Sequence, residues 1–294
     1  MSSELRVNYP PHPNPRKPVY RMPADSCDAH FHNFGPPERF RYGPNRLYIP
    51  PAAPVQHYLN LMEVLGIDWG VVVQPNAHGF DNAVSLDAIA RSGGKLRGVI
   101  KADATFSADD FKRLHDGGIR GVRFTLIAAN NGAVDIPMFE TVIERIRPLG
   151  WSVTFHGLPA ELMENVAWLR GLDIPIIIDH FGRVSFADGV RQEGFQCPLE
   201  LMTADHVWAK ISCAERLTAE GPPYDDAIPF AKALLDIAPD RLLWGTDWPH
   251  TQCFKRGQLP DDGDLVDLIP AMVPDEAMRQ TILVDNPTKL FWTD

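Results

Sequence analysis

From residue 54 onward the chain switches repeatedly between two hydrophobic periods. Pro54 to Leu65 carries apolar side chains at helical spacing (Val55, Tyr58, Leu59, Met62, Leu65), and Gly66 follows as a natural helix terminator. Trp69 to Gln74 is then a continuous β-branched run, the pattern of a strand buried on both faces. The same alternation continues. Helices are predicted over Asp81 to Arg91 with Asp81 as N-cap, Ser107 to Asp116 with Ser107 as cap, Ile136 to Leu149, Ala160 to Leu172, Gln196 to Ala204 and Tyr224 to Ile237. Two more are expected near Leu265 and over Glu276 to Leu283. The strands are Leu96 to Lys101, Gly118 to Phe124, Trp151 to His156, Pro175 to His180, His206 to Ile211 and Arg241 to Asp247, and an earlier run at Cys27 to His32 brings the number to eight.

Strands alternating with helices predict parallel βαβ units, and eight of them match an α/β fold of the (β/α)8 TIM-like barrel type. A doubly wound open sheet is the runner-up, but no G-x-G-x-x-G follows the first strand. The barrel is expected to form one domain over residues 24–294. Residues 1–23 contain Pro10, Pro11, Pro13, Pro15 and Pro18, which exclude a regular helix and leave an extended arm or a disordered tail. Asn33 to Pro54 is a long loop without an evident period, and such loops inside compact domains are often functional. Tyr42 and Tyr48 lie in it, where they can wall a site.

Composition narrows the function. The 294 residues are 45% hydrophobic and 22% charged, with a formal net charge of -10. An acidic chain without a basic patch argues against nucleic acid or an anionic membrane as partner. No run approaches the roughly 18 apolar residues of a membrane helix, and the N-terminal segment lacks the apolar core of a secretory leader. Cys27, Cys197, Cys213 and Cys253 form no C-x-x-C pair, which argues against a thiolate zinc site and fits a reducing cytoplasm. The subunit count stays open, a homo-oligomer included.

In a (β/α)8 barrel the active site forms where strands end at the C-terminal face. Strand one ends in His30 and His32, whose i, i+2 spacing sets both on one face. Strand two gives Gln74, Asn76 and His78, strand four Arg123 and Thr125, and strand five His156. Strand six ends in Asp179-His180-Phe181-Gly182-Arg183, strand seven leads through Ser212 to Glu215-Arg216, and strand eight ends in Thr246-Asp247-Trp248-Pro249-His250. Any one of these histidines alone is more often a hydrogen-bonded structural residue than a ligand. Four histidines and an aspartate at four strand ends suit one divalent ion, Zn²⁺, Mn²⁺ or Fe²⁺, with an open position for chemistry.

His-x-His on strand one, His on strands five and six and Asp on strand eight resemble the amidohydrolase superfamily. Asp28-Ala29-His30, Gln74-Pro75-Asn76-Ala77-His78-Gly79, Asp179 to Arg183, Gly221 to Asp225, Trp244 to His250 and Asn286-Pro287 are similar, more narrowly, to the 2-pyrone-4,6-dicarboxylate lactonase group. The likeness runs from about Ala24 to the C-terminus. It implies a cytoplasmic metal-dependent hydrolase that opens a small anionic lactone in aromatic-compound catabolism. Two departures matter. His156 stands where those lactonases, which work without metal, carry a tyrosine; it restores a mononuclear ligand set and implies one metal ion, Zn²⁺ first, with metal-free catalysis left open. Arg123 is not followed by the second arginine of that group, so one carboxylate contact of the pyrone substrate is missing.

This favours a related lactone, 4-sulfomuconolactone, over 2-pyrone-4,6-dicarboxylate or a sugar-acid lactone. The resemblance implies His30, His32, His156 and Asp247 as metal ligands, with His180 beside the site or in it. Asp247 is the expected base, His180 stabilises the tetrahedral oxyanion, and His250 either assists or braces the Asp247 loop. Arg123, Arg183 and Arg216 are expected to pair with the anionic substrate, because a guanidinium presents a planar fork to carboxylate or sulfonate oxygens; ordinary ion pairing with Asp or Glu is the alternative for each. Tyr48, Asn76 and Gln252 match substrate-contact positions of the group. A non-oxidative decarboxylase and a non-catalytic anion-binding barrel are the other readings on this fold.

Overall fold

The computed structural model describes residues 5–293. Eight strands form one all-parallel sheet in strict chain order. They are β1 (Cys27–Phe31), β2 (Trp69–Val73), β3 (Leu96–Ile100), β4 (Ile119–Thr125), β5 (Ser152–His156), β6 (Ile176–Ile178), β7 (Val207–Lys210) and β8 (Leu242–Leu243). Helices separate successive strands, among them α1 (Val55–Leu65), α2 (Ala83–Arg91), α3 (Ala108–Asp116) and α4 (Ile136–Ile146). Their apolar stripes pack on strand residues such as Val72, Ile100 and Val122, which are wholly buried. The expected barrel is the fold observed.

The ring closes between its first and last strands. Ala29 N donates to Trp244 O at 2.8 Å, Asp247 N to His30 O at 2.8 Å and His32 N to Trp248 O at 2.7 Å. A buried carboxylate fastens this seam. Asp28 accepts from His30 N at 2.9 Å, Thr246 N at 3.0 Å, the Thr246 hydroxyl at 2.6 Å and the Tyr58 hydroxyl at 3.0 Å. Burial pushes its carboxyl up to about 6, and the Thr246, His30 and Tyr58 donors pull in the opposite direction. Gly245 permits the approach, because a Cβ there would lie 2.6 Å from His30 N.

Several element ends differ from the sequence expectation. β8 stops at Leu243 because the backbone leaves the strand to meet β1, with Asp247 at φ 58°. β6 stops at Ile178, before His180 and Phe181, which both sit at φ 53°. Asp81 does not cap α2; the helix starts at Ala83, and the Asp81 carboxylate accepts from Ala83 N. Ser107 does cap α3, in a reciprocal pair with Asp110. Left-handed Tyr224 delays the helix predicted from that residue to Ile228–Leu235, and Asn165 divides the helix predicted over Ala160 to Leu172 into Pro159–Glu164 and Val166–Gly171.

The described part of the N-terminal segment contacts the long loop and residues 261–267. Arg6–Val7 pairs in parallel with Tyr48–Ile49 of the long loop. Arg16 N donates to Asp261, the Arg16 guanidinium bridges Asp264 and Asp267, and Tyr20 N donates to Asp267. Residues 1–4 lie outside the described residues.

Gly245→Ala is expected to destabilise the fold by about 2 kcal/mol or more, since the new methyl must force the seam apart. Urea denaturation reads this directly. Unchanged stability would show that β8 can back away from β1 at no cost.

Candidate active site

At the C-terminal mouth lies a narrow cavity lined by histidines, arginines and Asp247. Asp247 is on its floor, fully buried. Three imidazoles turn their Nε2 atoms toward the Asp247 Oδ1: His32 at 3.2 Å, His30 at 3.5 Å and His180 at 4.0 Å. Neither His30 Nε2 nor Asp247 Oδ1 has a hydrogen-bond partner among the described residues, although both are buried. His32 Nδ1 lies 2.8 Å from Val73 O, which can only accept, so this nitrogen carries the proton. His32 Nε2 is then the ring atom turned to the Asp247 oxygen, as a proton donor or as a ligand to a shared cation.

The other ring nitrogens are also held. His180 Nδ1 meets the Ser212 hydroxyl at 2.8 Å. His30 Nδ1 lies 3.4 Å from Asp179 Oδ1 and 3.1 Å from Lys210 Nζ, while Lys210 and Asp179 pair at 3.2 Å. Such partners orient the rings of metal-binding histidines. Burial, and then the Lys210 charge, lower the His30 pKa to about 3. Burial also drives His156 and His180 well below the usual histidine range, with Arg123 adding to both. Neutral imidazoles and one ionised carboxylate are the donor set that a divalent cation of intermediate softness takes. His30, His180 and Asp247 have ligand atoms all within 4.8 Å of one another. His32 and His156 both fall outside this trio; His32 Nε2 still lies 3.2 Å from Asp247 Oδ1, whereas His156 lines the cavity with its ring centroid 6.0 Å from that of His180.

Asp247 is ionised. Burial would raise its pKa, but the Arg216 guanidinium holds it well below the usual carboxylate range. Arg216 forms an ion pair with its Oδ2. Arg123 Nε donates to Asp179 Oδ2 at 2.8 Å. Both arginines line the cavity, yet each is paired with a carboxylate, as the alternative for them anticipated. Arg183 lines it too and has no carboxylate within 4.0 Å among the described residues; its contact is Cys213 Sγ at 4.0 Å. Tyr48, Asn76 and Gln252 all border the cavity. The Asn76 Oδ1 accepts from Lys101 Nζ at 2.9 Å and Thr125 Oγ1 at 3.2 Å, which leaves its amide NH₂ as a donor.

A family model described as amidohydrolase matches residues 27–292. The chain belongs to the amidohydrolase family. It is 46% identical over 291 residues to the 4-sulfomuconolactone hydrolase of Rhizobium radiobacter, covering 97% of each chain. It is 39% identical to the 2-pyrone-4,6-dicarboxylate hydrolase of Comamonas testosteroni, across 96% of this chain and 94% of that one. An apo crystal structure from Agrobacterium tumefaciens superposes with a TM-score of 0.83 at 30% identity, covering 94% of this chain and 99% of that one.

Within this amidohydrolase, His250 is placed apart from the cavity lining. It is buried, with Nδ1 3.3 Å from Glu215 Oε1 and Nε2 3.1 Å from Asp262 Oδ1. Burial would lower its pKa, but Asp262 and Glu215 raise it to about 10. That geometry is the bracing alternative, an imidazolium joining Glu215, Asp262 and the loop after Asp247. Lys210, Asp179 and Asp28 are site residues whose roles the sequence reading did not assign. Lys210 did leave a signal, as a lysine inside an otherwise apolar strand.

The His250 imidazolium contributes stability in full below pH 6.5, its ordinary value, and this is lost as pH rises toward 10. His250→Gln is expected to lower stability in the lower range, by an amount on the order of a few kcal/mol, and to flatten the decline between those limits. Denaturation curves across that range check it; an unchanged slope would remove the buried ion triad.

Proposed function

We propose that this amidohydrolase opens a small anionic lactone, 4-sulfomuconolactone first, to give maleylacetate and sulfite. The observation that carries the hydrolytic reading is the buried carboxylate Asp247, faced by three imidazole Nε2 atoms on the floor of an arginine-lined cavity. The substrate reading is supported by the near-full-length similarity to the Rhizobium radiobacter hydrolase.

His30, His32, His180 and Asp247 would hold one divalent ion, Zn²⁺ in first place, and His156 would form the adjoining wall. Bound there, such an ion supplies a Lewis acid and makes hydroxide available near neutral pH. Asp247 takes the proton from the attacking water and returns it to the ring oxygen as the acyl C–O bond breaks. Arg183 and the Asn76 amide hold the anionic ring in place, and Tyr48 and Gln252 close its sides. Arg216 keeps Asp247 ionised and fixed in direction, and Arg123 does the same for Asp179 behind His30. The negative charge that develops on the carbonyl oxygen falls toward the guanidiniums that line the cavity. Ring opening leaves a hydroxyl and a sulfonate on one carbon. That carbon becomes a ketone as the hydroxyl loses its proton and the C–S bond electrons leave with sulfite. The four cysteines are free and buried, which supports a reducing, cytoplasmic setting.

Purified enzyme given 4-sulfomuconolactone should release one sulfite per ring opened and consume base; carbon dioxide release instead would point to the decarboxylase reading. Asp247→Asn should lower kcat by about 10³ or more while the substrate still binds; near-normal turnover would end the assigned role of Asp247.

His180→Ala is expected to weaken Zn²⁺ binding more than about tenfold, read by competition with a chelating dye, whereas His156→Ala should leave it within a few-fold. The opposite order would restore His156 as ligand in place of His180.

A further inference from the structure

Four arginines line the cavity: Arg46, Arg123, Arg183 and Arg216. Two are neutralised in place, Arg123 by Asp179 and Arg216 by Asp247. Arg46 and Arg183 have no carboxylate within 4.0 Å among the described residues, and the Nε of each is buried without a hydrogen-bond partner. A buried guanidinium N–H left unsatisfied is costly, so such a group is poised to meet an anion. Arg183 sits close to the reacting groups, where it feels Cys213, Arg216 and Asp247. Arg46 comes from the long loop between β1 and α1.

That loop is fixed where it presents Arg46. Gly43 N donates to Ala77 O at 2.7 Å, the Asn131 side chain donates to Asn45 O, and Tyr48–Ile49 pairs with Arg6–Val7 of the arm. The Arg46 guanidinium lies over the Tyr42 ring, 5.9 Å from its centroid. Arg39, on the same loop, is by contrast paired with Asp87. The loop thus supplies a fixed, uncompensated cation to a cavity in which β4 supplies only one arginine.

We propose that Arg46 is the second anion-binding cation of this cavity, and that with Arg183 it selects lactones carrying two anionic groups over those carrying one. The inference rests on the hydrolase reading and adds the charge state of the substrate. Two separately placed guanidiniums suit two separate anionic groups, each met by a planar fork.

The test compares wild type, Arg46→Met and Arg46→Lys on 4-sulfomuconolactone, on the same lactone without its sulfonate, and on its carboxylate methyl ester. Arg46→Met is expected to raise KM for the dianion at least tenfold with kcat within threefold, and to erase the preference for the dianion over one of the two monoanions. Arg46→Lys should recover part of the loss. An Arg46→Met KM within twofold of wild type, or an equal rise for all three lactones, overturns the proposal. If wild type turns over none of them, the hydrolase reading fails separately. Arg46 is then judged by calorimetry with the 2-pyrone-4,6-dicarboxylate dianion, where the same tenfold weakening is expected and an unchanged affinity overturns the proposal.

Discussion

The structure depends on the seam where the last strand returns to the first. His30 and Asp247 lie far apart in the chain, yet a backbone hydrogen bond joins them directly across this seam. Asp28 ties both sides with four accepted hydrogen bonds, and Gly245 lets the two backbones meet. The two strand-one histidines and the strand-eight carboxylate therefore owe their common centre to the closure itself. A barrel that opened here would keep its core and lose its site.

Two buried carboxylates then organise the charge. Asp247 faces the cavity and is balanced by Arg216; Asp179 lies behind and is balanced by Arg123 and Lys210. These pairs let both acids stay ionised although their side chains are buried. The same cations, with burial, keep His30, His156 and His180 neutral. The floor thus offers lone pairs and one anionic oxygen, and the walls keep guanidinium charge for the ligand. The arm and the long loop, strapped together by Arg6–Val7 and Tyr48–Ile49, hold the outer wall over that floor.

Much of this was legible in the sequence, for a physical reason. Parallel strands buried on both faces read as near-continuous apolar runs, which marked most of the eight, while the first was marked by its paired histidines, and the polar residues at the strand ends were expected at the mouth. What a strand end does not encode is where its side chain points. His156 and His180 look equivalent in the sequence, but left-handed backbone at His180 and the Ser212 hydroxyl bring only the latter within reach of Asp247. Pairings across distant loops were equally hidden. Nothing local to Arg216 announces Asp247, nothing near His250 announces both Glu215 and Asp262, and Arg46 lies in a loop without a period. Helix starts erred where one side chain decides them, as at Asp81 and Tyr224.

The convergence of imidazoles on one carboxylate oxygen is tested most directly by anomalous X-ray diffraction at the zinc edge from crystals of the zinc-loaded enzyme. A single peak is expected within bonding distance of His30 Nε2, His32 Nε2, His180 Nε2 and Asp247 Oδ1. A peak elsewhere, or none in crystals of fully active protein, would contradict it.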